Sequence, residues 1–183
     1  MPHIQHRPLP TSTLLVKYAK SGAYTDCFAT DIARTVSHAE FVEAFYTGGL
    51  FKLERLLLRV LLSKPSTDLQ ARQLAAGELN EFAAWTVEAR AEDQLLLRAV
   101  DGRTRSWLMV AAVSAVVPSA HEANEAHDAN RSNGTRLYFG SAVVPVKNAS
   151  TSKSEMGFVF KALLGFHKLY SRALLSAAAR RLS

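Results

Sequence analysis

Cysteine is almost missing from this chain of 183 residues. Cys27 is the only one, so an internal disulfide and a multi-cysteine metal site are both excluded. Long apolar runs are missing as well. Lys, Arg or Glu cuts each of the richest stretches before about 18 residues, and no transmembrane helix is expected. The opening MPHIQHRPLP has no apolar segment after its charges, so no secretory signal is read and a soluble, cytoplasmic protein is expected. There is no phosphate loop, dinucleotide fingerprint or lipase elbow, and no cofactor is expected.

Hydrophobic residues make up 48% of the chain, enough for a sizeable core in one domain. The net charge of +6 is unevenly spread. Residues 147–183 hold Lys147, Lys153, Lys161, Lys168, Arg172, Arg180 and Arg181 against Glu155 alone, so the rest of the chain is balanced. Two readings fit this basic segment. Cations near a helix C-terminus are favoured by the macrodipole and solubilise its outer face. The same charge is able to attract a membrane surface or an acidic partner. The segment lacks the interleaved aromatics and glycine turns of a nucleic-acid platform, so no nucleic acid is expected as a partner.

Residues 1–22 form an N-terminal lead, with Pro8 and Pro10 in extended chain and TSTLLVKYA read as a short helix or an edge strand. YTDCFATDI is a strand with Tyr24, Phe28 and Ile32 on one face and Cys27 and Ala29 on the other. Ser37 and Glu40 form a capping box that starts a helix through Phe41, Val42 and Phe45. Gly48-Gly49 interrupts it. A second helix is read in LFKLERLLLRVLL, stopped by Pro65, and a third in TDLQARQLAAG, capped by Thr67 or Asp68 and ended by Gly77.

The period then changes from 3.6 to 2. FAAWTVEAR sends Trp85, Val87 and Ala89 to one side and Thr86, Glu88 and Arg90 to the other. A turn at Ala91–Asp93 leads to the strand QLLLRAV, and Asp101-Gly102 marks a hairpin before RTRSWLMVAAVSAVV. These three strands form an antiparallel meander. A long polar loop over 118–134 leads to the strand TRLYFGSAVVPV. A second capping box, Ser152 and Glu155, opens a final helix with the apolar stripe Val159, Leu163, Phe166, Tyr170, Leu174 and Ala177.

Segregated helices and an antiparallel sheet indicate an α+β fold. The terminal helix must bury its stripe on the sheet, whose inward side chains are read as Trp85, Trp107, Met109, Leu137 and Phe139. In order and pattern, YTDCFATDI with its following helix, FAAWTVEARAEDQLLL, TRLYFGSAVVPV and GFHKLYSRALL resemble the helix-grip fold of the START-like (SRPBCC) superfamily. They are similar to a bacterial family of unknown function within or near it. The resemblance implies a single domain over 1–183, with a curved antiparallel sheet gripping a long C-terminal helix. Two to three shorter helices would lie between the first and second strands. Five strands are clear here where six or seven are usual; a further one is sought in 12–19 or in a split of 104–117. The resemblance also implies an apolar cavity between sheet and helix. Superfamily members bind lipids, sterols or polyketides, and some catalyse cyclisation or dehydration, so fold alone leaves the chemistry open.

The expected partner is a small hydrophobic or amphipathic molecule, with a cyclase- or dehydratase-type enzyme, or docking through the basic helix, as alternatives. The expected ligand-binding set is Trp85, Trp107, Tyr138, Phe166, His167 and Tyr170, against the plain alternative of a filled core. His167 has the chemistry of a general base, as has Asp26 if it points into the cavity mouth, although Asp26 and Asp31 read more simply as exposed strand charges. No catalytic residue is assigned. Arg105 and Arg136 suit a carboxylate or a solvated strand face. His121 and His127 with Glu122, Glu125 and Asp128 match no metal spacing, and no metal site is expected. Cys27 is read as buried packing.

Overall fold

The computed structural model describes residues 2–52, 66–113, 134–144 and 156–183, with side chains from His167 onward in the last stretch. Eleven elements follow one another among them. They are β1 (Gln5–His6), α1 (Val16–Lys20), β2 (Tyr24–Ile32), α2 (His38–Tyr46), α3 (Asp68–Ala76), β3 (Glu81–Phe82), β4 (Trp85–Ala91), β5 (Gln94–Ala99), β6 (Thr104–Val113), β7 (Gly134–Val143) and α4 (Met156–Leu182). Residues 49–52 are also helical. All strands form one antiparallel sheet in the order β1-β2-β7-β6-β5-β4-β3. The α+β class and the meander β4-β5-β6 are as the sequence implies.

Two strands escape the periodicity because each is only two residues long. β1 pairs with β2 at one edge and β3 with β4 at the other. Residues 12–19 hold turns and α1 rather than a strand, and β6 is unbroken to Val113. The stretch FAAWTVEAR is not one strand. Phe82 pairs with Trp85, so Ala83 and Ala84 form a tight turn between β3 and β4, with Ala83 at a left-handed φ of 53°.

The helices start where their caps dictate. The Ser37 hydroxyl accepts from Glu40 N–H while the Glu40 carboxylate accepts from Ser37 N–H, and Thr67 and Gln70 repeat this box at α3. The predicted Ser152/Glu155 box, most of the predicted helix in 50–62, the 118–134 loop apart from Gly134, and the His121/His127 group lie outside the described residues.

The two faces of the sheet bury different clusters. On one face Phe28, Ile32, Leu95, Leu97, Leu108, Leu137 and Phe139 pack against α2, α3 and α4. Aromatic rings dominate there: Phe45 lies 4.8 Å from Phe139 and Tyr46 4.7 Å from Phe51, centroid to centroid. α4 packs on β2, β7 and α2. From His167 onward its buried positions are Ser171, Leu174, Leu175, Ala178, Ala179 and Leu182, while Tyr170 and Ala177 are only half-buried. The stripe is therefore wider than predicted, because α4 touches α2 as well as the sheet.

On the opposite face Cys27, Leu96, Trp107, Met109 and Ala142 pack against Leu9, Leu14, Leu15 and Tyr18 of the N-terminal lead. Trp107 and Met109 are thus corrected: they point away from the helical side. Strict alternation puts them opposite Leu108 and Val110. Buried Gln94 fastens the lead to this face. Its Oε1 accepts from Trp107 Nε1 and from Leu14 N, each at 2.9 Å.

A β-bulge between Val87 and Ala89 breaks the alternation of β4. Val87 packs on the helical side, whereas Ala89 packs on the other. Glu88 reaches Lys17, Tyr18 and Arg105 at the N-terminal lead. Burial pushes the Glu88 carboxyl up, but hydrogen bonds from Lys17 and Tyr18 and the Arg105 charge hold it below the usual range.

Candidate functional site

A cavity of about 150 Å³ lies between the sheet and α4. Its apolar wall comes from Phe45, Phe51, Trp85, Phe139 and Leu174, and its polar wall includes Ser106, Ser141, His167 and Ser171. Period 2 explains the strand contributions. Phe139 and Ser141 share a face of β7, and Ser106 shares the helical face of β6 with Leu108. On α4, His167 and Ser171 are one turn apart and so share a face.

At this polar end three side chains from three elements converge. The Ser141 hydroxyl donates to Asp26 Oδ1 at 2.7 Å, and Ser141 N–H donates to the same oxygen at 3.0 Å. His167 Nε2 lies 2.6 Å from Ser141 Oγ and 3.6 Å from Asp26 Oδ2. Tyr24 donates to Asp26 Oδ2 over 3.3 Å. Burial, helped by the Asp26 charge, pushes the Tyr24 phenol well above its ordinary range.

Asp26 is 4% exposed. The expectation of an exposed strand charge is corrected: Asp26 has the parity of Phe28, on the face that the helices cover. Asp31, of the other parity, is exposed and takes a bidentate pair from Arg136 at 2.6 and 2.7 Å. The Arg136 partner holds the Asp31 carboxyl below the usual carboxylate range. Arg105 is buried and engaged with Glu88 and Tyr18.

Trp85 and Ser171 line the cavity, and Trp85 Nε1 and Ser171 Oγ are sealed without any hydrogen-bond partner among the described residues. A serine or threonine hydroxyl in or just after a helix is able to bond back to the carbonyl one turn earlier. Ser183 and Thr47, just past the ends of α4 and α2, do so at 2.8 and 2.7 Å. Ser171 does not, which leaves a buried donor beside the cavity.

Of the expected ligand-binding set, Trp85, His167 and Tyr170 line this cavity. Trp107 and Tyr138 do not; their rings pack together on the opposite face, 6.1 Å apart. The side chain of Phe166 lies outside the described residues. The sequence reading missed Ser141 and Ser171, although their parity and spacing within apolar stripes were visible.

Cys27 is buried, and burial together with Asp26 pushes its thiol up to about 12, so it is no nucleophile. No group of three His, Cys, Asp or Glu able to hold a metal occurs among the described residues. No described helix is long and apolar enough to cross a membrane. Compared with known proteins, the chain matches no family model, no curated protein and no solved structure.

Proposed function

We propose that the domain binds a small amphipathic molecule, about one ring in size, in the cavity between the sheet and α4. The observation that carries this reading is a 150 Å³ cavity between an apolar wall and the polar residues Ser141, His167 and Ser171, with Ser171 Oγ and Trp85 Nε1 buried behind its lining without a hydrogen-bond partner among the described residues. An unpaired buried polar group costs about 1–3 kcal/mol. A ligand toward which these groups turn recovers that cost by accepting from them, while its apolar body meets Phe45, Phe139 and Leu174.

Size narrows the ligand class. Drug-sized ligands fill roughly 300–1,000 Å³, whereas a cavity near 150 Å³ holds about one benzene. The proposed ligand is therefore a ring compound with a single carbonyl or hydroxyl, much smaller than a sterol or acyl lipid.

Saturation-transfer NMR with cyclohexanone, phenol and a long-chain fatty acid tests this. The two ring compounds are expected to bind and the fatty acid is not. Leu174→Phe, which fills the cavity with carbon, should abolish ring binding while the protein stays folded. Ring binding that survives Leu174→Phe, or no ring binding at all, rejects the reading.

A further inference from the structure

We infer that His167 is a general base acting on the bound molecule, with Asp26 and Ser141 as positioning residues. The inference rests on the cavity reading and adds a reaction to it: proton removal from carbon next to a carbonyl, in a ring-sized ketone.

The first argument is the cost of Asp26. Taking a carboxylate out of water costs several kcal/mol, and an apolar residue in its place is often neutral or stabilising. Asp26 lies in line with Phe28 on the covered face of β2, where packing alone calls for a hydrocarbon. What the carboxylate does there is hold Ser141 through two hydrogen bonds, and Ser141 in turn meets His167.

The second argument fixes the tautomer. A carboxylate only accepts hydrogen bonds, and a serine hydroxyl has a single proton to give. Ser141 gives it to Asp26 Oδ1 at 2.7 Å. Its oxygen is then left to accept from His167, so the 2.6 Å contact is Nε2–H donating to Oγ. In the neutral ring the lone pair is therefore on Nδ1, the basic nitrogen. When Nδ1 takes a proton, the new positive charge has Asp26 Oδ2 3.6 Å from Nε2.

The third argument is the donor set. Removing a proton beside a carbonyl builds negative charge on the carbonyl oxygen, which must be met by fixed donors. Ser171 and Trp85 line the same cavity, and their Oγ–H and Nε1–H are buried and unpartnered among the described residues, so each meets the oxygen by turning into the cavity. Ser171 is one turn from His167 on α4, so base and donor share a helix face.

The step balances without any co-reactant. The C–H bond next to the carbonyl breaks and its proton goes to Nδ1. Its electron pair becomes the C=C bond of an enolate while the carbonyl pair moves to oxygen, against Ser171 and Trp85. Return of a proton from Nδ1 to carbon restores the ketone or, in an unsaturated ring, moves the double bond. Nothing is oxidised or reduced.

The test is exchange of the α-hydrogens of cyclohexanone in deuterated buffer, followed by proton NMR, with binding measured on the same samples by saturation transfer. The intact chain is expected to exchange them about 10²-fold faster than His167→Gln, the low end of general-base effects. Asp26→Asn, outside the cavity lining, should slow exchange while leaving cyclohexanone affinity unchanged, a split that loss of folding would not give. Should Asp26→Asn fail to fold, Ser141→Ala should slow exchange by a larger factor than it weakens binding, and equal factors would reject the positioning role. Binding with exchange no faster than in His167→Gln overturns the base and leaves the binding site standing. Absence of binding removes the cavity reading, and the inference with it.

Discussion

Asp26 and Ser141, 115 residues apart in the chain, are joined twice: one carboxylate oxygen takes both the hydroxyl and the backbone N–H of Ser141. They are direct partners in the β2–β7 ladder. The carboxylate therefore cross-links the neighbouring strands β2 and β7 beneath α4. Asp26→Ala strands a buried N–H and a buried hydroxyl and should cost about 1–3 kcal/mol. Ser141→Ala keeps the backbone bond and should cost less. Urea midpoints of the two variants check the order, and equal losses would mean the backbone bond contributes nothing.

Gln94 performs a similar task on the other face, where one amide oxygen serves both Trp107 and Leu14. Gln94→Ala leaves two donors unpaired and should lower stability by about 2 kcal/mol. Hydrogen exchange should rise first at residues 9–20, since that carboxamide joins Leu14 of the lead to Trp107 of the sheet. Uniform loss of protection across the chain would contradict this.

His38 supplies a pH dependence. Burial lowers its basicity below the 6.5 of a free imidazole; a backbone hydrogen bond to Leu108 and the Asp93 charge raise it in part, and Arg90 lowers it further. Its Nε2 is sealed and unpartnered among the described residues. Between the lowered value and 6.5 the unfolded chain binds the proton more readily than the folded one, so stability rises with pH across that window. Acidification from neutral through 6.5 should lower the urea midpoint, and His38→Asn should flatten this limb of the profile. An unchanged slope in the variant would assign the effect to other groups.

Gly140 sits in β7 opposite Cys27 and Trp107. A Cβ there would stand 2.7 Å from the Asp26 carbonyl oxygen and 2.9 Å from Trp107 Cε3. Gly140→Ala must push either the strand or the indole and should cost about 1–3 kcal/mol. A thermal melt measures the loss, and a shift in tryptophan emission locates it.

Much of the fold could be read from local signals. The capping box at Ser37, the cap at Thr67 or Asp68 and the period-2 runs of β2, β5, β6 and β7 each rest on a few neighbouring residues. Which face of the sheet meets the helices was not legible, because β6 is apolar at both parities: Trp107 and Met109 read as well as Leu108. The cover on the back comes from residues 9–18, which have no period of their own. The site was half legible. His167 and Tyr170 stood out by residue type, but Asp26 was read as exposed. The tell was an acid in the register of Phe28 and a serine in the register of Phe139, polar groups set into an apolar row. Such a departure has meaning only once both rows are known to be covered.

The irregularity at Glu88 has a further implication for how this chain tolerates change. From Ala89 onward, β4 presents the sides it does only because one residue is accommodated out of step with β5. Deleting Glu88 would restore strict alternation while Ala89 and Arg90 keep the sides they now present, because Val87 and Ala89 already face opposite layers and pair with consecutive residues of β5. Point substitution of Glu88, which keeps the count, would leave that arrangement intact.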